Sequence, residues 1–108
     1  MQDTITTFDF EDGHGPVPAH QHPNGGGWVA DTATVHNTAY VGPTARVFDH
    51  ARVFGHALVY DHAWVFGDAA VSGDAQVFGH AVIFGDAVIF GDAWVSDTAS
   101  IATGIVKA

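Results

Sequence analysis

Histidine gives this chain its widest chemical scope, because the 108 residues include eight histidines and no cysteine. His20 and His22 are two residues apart, so both rings leave an extended segment on the same side. The spacing of His62 and His80 is a multiple of a period described below. Neither pair supplies the tetrahedral ligand set that zinc prefers. We therefore expect no cofactor, and these four histidines, with His14 near the first pair, are the metal-ligand candidates.

A six-residue period determines where these side chains lie. Alanine followed two residues later by valine or isoleucine recurs without a slip, with the aliphatic residues running from Val29 to Ile101. In a strand, this alternation places alanine and the aliphatic residue on one side and the residues between them on the other. The first set keeps its type, whereas the second varies from Arg46 to Phe84. The first set therefore faces a core of constant cross-section.

Short corners separate these strands. Six strands are followed by Gly-Asp or Gly-His, and Asp-His, Asp-Thr or Asn-Thr occupies the equivalent places nearer the ends. Gly, Asn and Asp tolerate the positive φ that such corners need, and Pro43 predicts one corner of a different shape. Three strands and three corners make an 18-residue turn. We predict an all-β fold, a single-stranded parallel β-helix shaped as a triangular prism of a little over four turns, over residues 28–102. Residues 1–27 are predicted to form a short strand at Phe8–Phe10 and then an irregular capping segment, and residues 103–108 a tail.

The period also separates most of the histidines. His50, His56 and His62 are six residues apart, so they lie on three different corners and cannot share one ion. His62 and His80 are one full turn apart and stack on a single corner. For that pair the simpler alternative to a metal site is a solvated turn, and for His20 and His22 it is hydrogen bonding within a cap.

The hexapeptide Ala-x-Val-x-Gly-Asp, present at residues 63–68, resembles the repeat of left-handed parallel β-helices. Hexapeptide acyltransferases, γ-class carbonic anhydrases and polymer-forming β-helix proteins share that repeat, so the resemblance implies a left-handed coil. The segment from Phe10 to Ala33 is also similar to the start of small hexapeptide-repeat proteins of phages and bacteria. That similarity implies a virion part, such as a capsid-decorating or tail-associated protein, located in the virion or the cytoplasm.

The same families provide a test of catalysis. γ-Class carbonic anhydrases hold zinc with three histidines, two of them five residues apart, and no histidine pair here has that spacing. Hexapeptide acyltransferases typically interrupt the β-helix with a loop that carries a catalytic histidine, and this repeat is uninterrupted. We expect no enzymatic activity. The alternative is a minimal acyltransferase or carbonic anhydrase relative with a site between subunits.

Charge narrows the class of partner. The chain has 12 acidic residues against 3 lysines and arginines. Nucleic acid and anionic membranes both require clustered basic residues, so neither is an expected partner. The first residues lack the basic and apolar regions of a signal peptide.

Outward-facing aromatic residues indicate association with protein. Eleven of the 13 aromatic residues fall in the outward set, in columns whose members are one turn apart. A monomer seldom exposes an apolar patch of more than a few hundred Å². We predict a homo-oligomer, most simply a trimer, which docks on another structural protein. End-to-end stacking into a filament is a further alternative, because the ends of a β-helix have unpaired edges. The predicted interface is Trp64, Phe66, Val82, Phe84, Phe48, Phe54, Phe90 and Trp94.

Overall fold

The computed structural model describes residues 6–10, 13 and 15–107, which form strands and no helix. The strands are β1 (Thr7–Asp9), β2 (Pro16–Gln21), β3 (Trp28–Ala30), β4 (Thr34–Val35), β5 (Tyr40–Val41), β6 (Arg46–Val47), β7 (Arg52–Val53), β8 (Leu58–Val59), β9 (Trp64–Val65), β10 (Ala70–Val71), β11 (Gln76–Val77), β12 (Val82–Ile83), β13 (Val88–Phe90), β14 (Trp94–Val95), β15 (Ser100–Ile101) and β16 (Ile105–Lys107).

Strands β3 to β16 form a parallel β-solenoid of about four turns, as the repeat predicts. Arg46 pairs with Trp64 and Trp64 with Val82, so each strand pairs with the strand three repeats further along the chain. The first face contains β3, β6, β9, β12 and β15, the second contains β4, β7, β10, β13 and β16, and the third contains β5, β8, β11 and β14. Strands one turn apart are therefore neighbours, and side chains one turn apart lie in one column.

The alanine and aliphatic series form the core. From Val41 to Val95 every member of both series is at most 4% exposed. The outward residues keep the turns together through their backbones, because the Trp64 N–H donates to the Ala81 carbonyl at 3.0 Å and the Phe66 N–H to the Ile83 carbonyl at 2.9 Å. The predicted division into an invariant inner set and a variable outer set is confirmed.

The corners have two designs. From residue 49 onward, each corner of the hexapeptide series begins with a residue at positive φ, as predicted: Asp49, Gly55, Asp61, Gly67, Gly73, Gly79, Gly85, Gly91 and Asp97. At the corners from Asp49 to Gly85 the next backbone N–H continues the ladder, as from His50 to the Gly67 carbonyl at 3.0 Å. The first three corners have no residue at positive φ. In them the hydroxyls of Thr32, Thr38 and Thr44 donate to the corner carbonyls one turn on. The prediction of a positive φ is therefore wrong at Asp31 and Asn37, and the different shape predicted at Pro43 extends to the whole first turn.

The N-terminal residues form a β-hairpin, so the prediction of an irregular segment is wrong for Pro16–Gln21. Strand β2 runs antiparallel to both β1 and β3. Pro16 and Pro18 lack an amide hydrogen, but the pairing of β2 with β3 ends at Ala19 and Ala30. The two prolines therefore interrupt no bond to β3.

The predicted C-terminal tail also contains a strand. Ile105 pairs with Val88 and Val106 with Ile89, so β16 extends the second face. The corner before β16 is one residue shorter than the other corners, so β16 pairs one residue earlier than the repeat would place it. Gly104 in this corner has a φ of 90°.

Candidate interaction surface

A column of stacked phenylalanine rings runs along the first face. Phe48 stacks on Phe66 with the ring centroids 4.7 Å apart, and Phe66 on Phe84 at 5.3 Å. One turn before Phe48, the column position is occupied by the small residue Ala30. The ring of Phe10, from the N-terminal hairpin, stacks on Phe48 at 4.8 Å from that side. The hairpin therefore supplies the aromatic ring that the repeat lacks at this position.

The second outward column of the first face is covered in a similar way. Phe8 stacks on Trp28 with centroids 4.8 Å apart. The guanidinium carbon of Arg46 lies 5.1 Å from the Phe8 ring centroid and 5.2 Å from that of Trp64. Cations favour such positions over aromatic faces. Arg46 also donates to the Phe10 carbonyl at 3.3 Å, so one side chain links the hairpin to the solenoid.

Small residues allow the hairpin to lie over the face. Ala19 of β2 pairs with Ala30 of β3, and both are buried, at 3% and 2% exposure. Together with Phe10 and Phe48 they form a second core outside the solenoid. Phe48 is only 2% exposed, so its predicted place in an interface with another chain is wrong. The signals for this core in the sequence are the alternation of Phe8 with Phe10 and the missing ring at position 30.

The remaining residues of the predicted interface lie on three faces. Trp64, Phe66, Val82 and Phe84 occupy adjacent outward positions on β9, β12 and the residues that follow these strands, and all four are half-buried. We call these four residues the open patch. Phe54 and Phe90 lie on the second face with Ser72 between them in the column, and Trp94, on the third face, is 69% exposed. Only the open patch is a contiguous group.

The N-terminal histidines are engaged by the chain itself. His22 is 2% exposed, and its Nε2 lies 2.8 Å from the Ala39 carbonyl oxygen. The Nδ1 of His20 lies 2.7 Å from a carboxylate oxygen of Asp31. The two rings thus have different partners, as the alternative of hydrogen bonding within a cap predicts, while His14 lies outside the described residues.

The segment from His22 to Gly27 closes the outer edge of β5. The Val41 N–H donates to the Asn24 carbonyl at 3.0 Å, and the Gly27 N–H donates to the Val41 carbonyl at 2.9 Å. A Cβ at Gly25 would lie 2.2 Å from the Val41 oxygen, so only glycine allows this close approach. The third face is therefore capped at its N-terminal end.

His62 and His80 stack on one corner, as the period predicts. Their ring centroids are 5.1 Å apart and both residues are exposed. They line a groove of about 300 Å³ together with Thr44, Arg46, Trp64 and Val82. Among the residues that the structure describes, no group of three or more histidine, aspartate or glutamate side chains is arranged to hold a metal ion.

Comparisons with protein-family models, curated proteins and solved structures find no match to this chain. Within the described part of the chain, no helix has the length and apolar character needed to cross a membrane. The first face of the solenoid is aromatic, and it is partly covered by the chain's own hairpin and partly open.

Proposed function

We propose that this protein is a non-enzymatic structural module that self-associates through the open patch of its first face, most simply as a trimer. The observation that carries the proposal is the division of that face. The hairpin buries Phe48 to 2% exposure, whereas the equivalent residues one and two turns on, Phe66 and Phe84, remain half-buried. Because apolar side chains of the hairpin cover one half of the face, we infer that the open half binds an apolar partner.

The open patch has the composition of an interface core. Aromatic residues are enriched in such cores and supply much of the binding free energy. Phe66 is held on one side by Phe48 and on the other by Phe84. Rings fixed in this way lose little conformational entropy when a partner binds. A second copy of the chain presents the same patch, and closed symmetric oligomers are the commonest protein assemblies.

Side-by-side association is better supported than end-to-end filaments. At the N-terminal end, the hairpin covers the edge of β3 and the segment from His22 to Gly27 covers the edge of β5. Strand β4 is the edge of the second-face sheet. A copy stacked on this end would meet the edges of β4 and of the hairpin strand β1 rather than those of β3 and β5, unless it displaced the capping residues.

The proposed role is attachment to a larger structure, such as a virion, as a decorating or tail-associated part. Its support is the similarity of the leading segment to phage and bacterial hexapeptide-repeat proteins. The exposed Phe54 and Trp94, at 39% and 69% exposure, lie on the second and third faces and remain accessible when the first face is occupied. These two faces are the proposed contact with the host structure.

Sedimentation velocity of the wild-type chain and of the Phe84→Asp and Phe54→Asp variants tests the proposal. We expect a wild-type oligomer, a monomer for Phe84→Asp, and an oligomer for Phe54→Asp, which carries the same change on the second face. A wild-type monomer, or equal effects of the two variants, would contradict the proposal. Metal analysis of the same samples tests the carbonic anhydrase alternative, in which histidines of two chains would hold a stoichiometric ion.

A further inference from the structure

The two strands of the open patch have nearly the same sequence from corner to corner. Residues 62–68 read His-Ala-Trp-Val-Phe-Gly-Asp, and residues 80–86 read His-Ala-Val-Ile-Phe-Gly-Asp. Strands β9 and β12 pair directly, so the two segments stack. The open patch is therefore bordered by two histidines at one corner and by two aspartates at the other.

This order of charges belongs to the first face. When the second residue of each corner is compared, no other strand of the repeat has histidine at the corner before it and aspartate at the corner after it, and the reverse order occurs once, from Asp74 to His80. The remaining strands have histidine at both corners, aspartate at both corners, or threonine at one corner or both. A histidine edge and an aspartate edge thus coincide with the patch proposed to bind a second copy.

The border side chains are available to a partner. Asp68 and Asp86 are exposed, and among the described residues no hydrogen bond or ion pair engages either carboxylate. The aspartates at positive φ behave differently, because the Asp49 and Asp61 carboxylates each accept a backbone N–H one turn on, at 3.2 Å. Imidazole nitrogens donate to carboxylates in both protonation states, through N–H groups.

We propose that His62 and His80 of one copy pair with Asp68 and Asp86 of a neighbouring copy, so that the copies pack in parallel around an axis that runs along the solenoid. This inference rests on the proposed self-association through the open patch. Rotation about such an axis preserves height along the solenoid. The histidine and aspartate corners of one turn are a third of a turn apart, which is about 1.6 Å in height at the usual strand spacing. His62 can therefore pair with Asp68, and His80 with Asp86, in the same arrangement of copies.

The antiparallel alternative lacks this complementarity. A two-fold axis that crosses the solenoid and relates two first faces places each border opposite its own copy, so that aspartates face aspartates. Juxtaposed like charges disfavour a complex, and the chain already has a net charge of −9. The order of charges on the first face thus selects a parallel ring, with the open patches enclosed between its members.

Exchange of the border residues tests the inference. We expect Asp68→His/Asp86→His, which places histidine on both borders, to raise the dissociation constant of the assembly by about tenfold or more. The fourfold exchange, with His62→Asp and His80→Asp added, restores the two complementary borders and should return the dissociation constant to near the wild-type value. Asp74→His/Asp92→His makes the same change at the corner between the second and third faces and should have little effect. Thermal unfolding by circular dichroism establishes that each variant is folded.

The results of these experiments distinguish the proposed self-association from the proposed parallel pairing. A wild-type chain that remains monomeric overturns both the proposed function and the parallel pairing. An assembly that Asp68→His/Asp86→His weakens no more than Asp74→His/Asp92→His overturns the pairing alone. Failure of the fourfold exchange to recover the assembly also overturns the pairing.

Discussion

The two halves of the first face carry similar outward residues and have different surroundings. In the first half, Phe10 and Phe8 of the hairpin stack on Phe48 and Trp28, and a second core forms outside the solenoid. In the second half, the open patch has the same aromatic character and no covering strand among the described residues. The comparison shows that an outward aromatic column of this solenoid can be buried by apolar side chains, because the hairpin already buries one half of it within the chain.

Truncation of a ring should have its largest effect in the covered half. Phe48→Ala leaves a cavity between Phe10 and Phe66, so we expect a loss of about 3 kcal/mol in the free energy of unfolding. Phe84→Ala removes a half-buried ring at the open end of the column and should cost the monomer about 1 kcal/mol. Urea unfolding measures both values. For the Phe84→Ala variant, the protein concentration is kept low enough to dissociate the assembly. Equal losses would contradict the distinction between a covered and an open half.

Filling the gap in the column should convert the covered half into an open one. Ala30→Phe places a ring where Phe10 now stacks, so the hairpin loses its site while the inward core is unchanged. The transfer of a phenylalanine side chain to water costs about 2 kcal/mol, which corresponds to a roughly 30-fold higher population of the detached hairpin. Chymotrypsin cleavage at Phe8 and Phe10, followed by mass spectrometry, measures this population.

A matched change at Arg52, which lies outward on the second face, serves as the control for that experiment. Arg52→Phe adds a ring to the solenoid away from the hairpin and should leave the cleavage rate near the wild-type value. Unchanged cleavage of the Ala30→Phe variant would show that Phe10 does not depend on the space above Phe48.

The smallest effect is expected at the corners of the first turn. Thr38→Val removes the hydroxyl that donates to the Gly55 carbonyl and should lower the free energy of unfolding by about 1 kcal/mol. Thr98→Val makes the same change at a corner where Asp97 has a φ of 60° and its carbonyl accepts the backbone N–H of His80 at 2.7 Å instead of a threonine hydroxyl. A Thr98 variant as destabilised as the Thr38 variant would contradict the two corner designs.

The solenoid could be predicted from the sequence, because every hexapeptide repeats the same local pattern of inward and outward residues. Alanine and an aliphatic residue alternate with variable residues, so both the face that turns inward and the column of each side chain follow from position alone. Positive φ at the later corners followed from Gly and Asp for the same reason. These features depend on neighbours that are themselves specified by the period.

The hairpin was harder to predict, because its position depends on contacts that no period encodes. Glycine, proline and histidine dominate residues 13–27 and indicate an irregular segment. Pro16 and Pro18 are compatible with a strand because the pairing of β2 with β3 ends at Ala19 and Ala30, before it reaches them. The burial of Phe48 by Phe10 joins residues that are distant in the sequence, across the outside of the solenoid. The division of the first face into covered and open halves therefore required the structure.

The oligomeric state of the wild-type chain decides whether the open patch binds a second copy. Sedimentation equilibrium at several loading concentrations yields the mass of the assembled species without a shape assumption. We expect an assembly, most simply of three times the chain mass of 11.3 kDa, which dissociates when Phe84 is replaced by aspartate. A mass of 11.3 kDa at every concentration would contradict it, since the open patch would then be a stable surface without a partner.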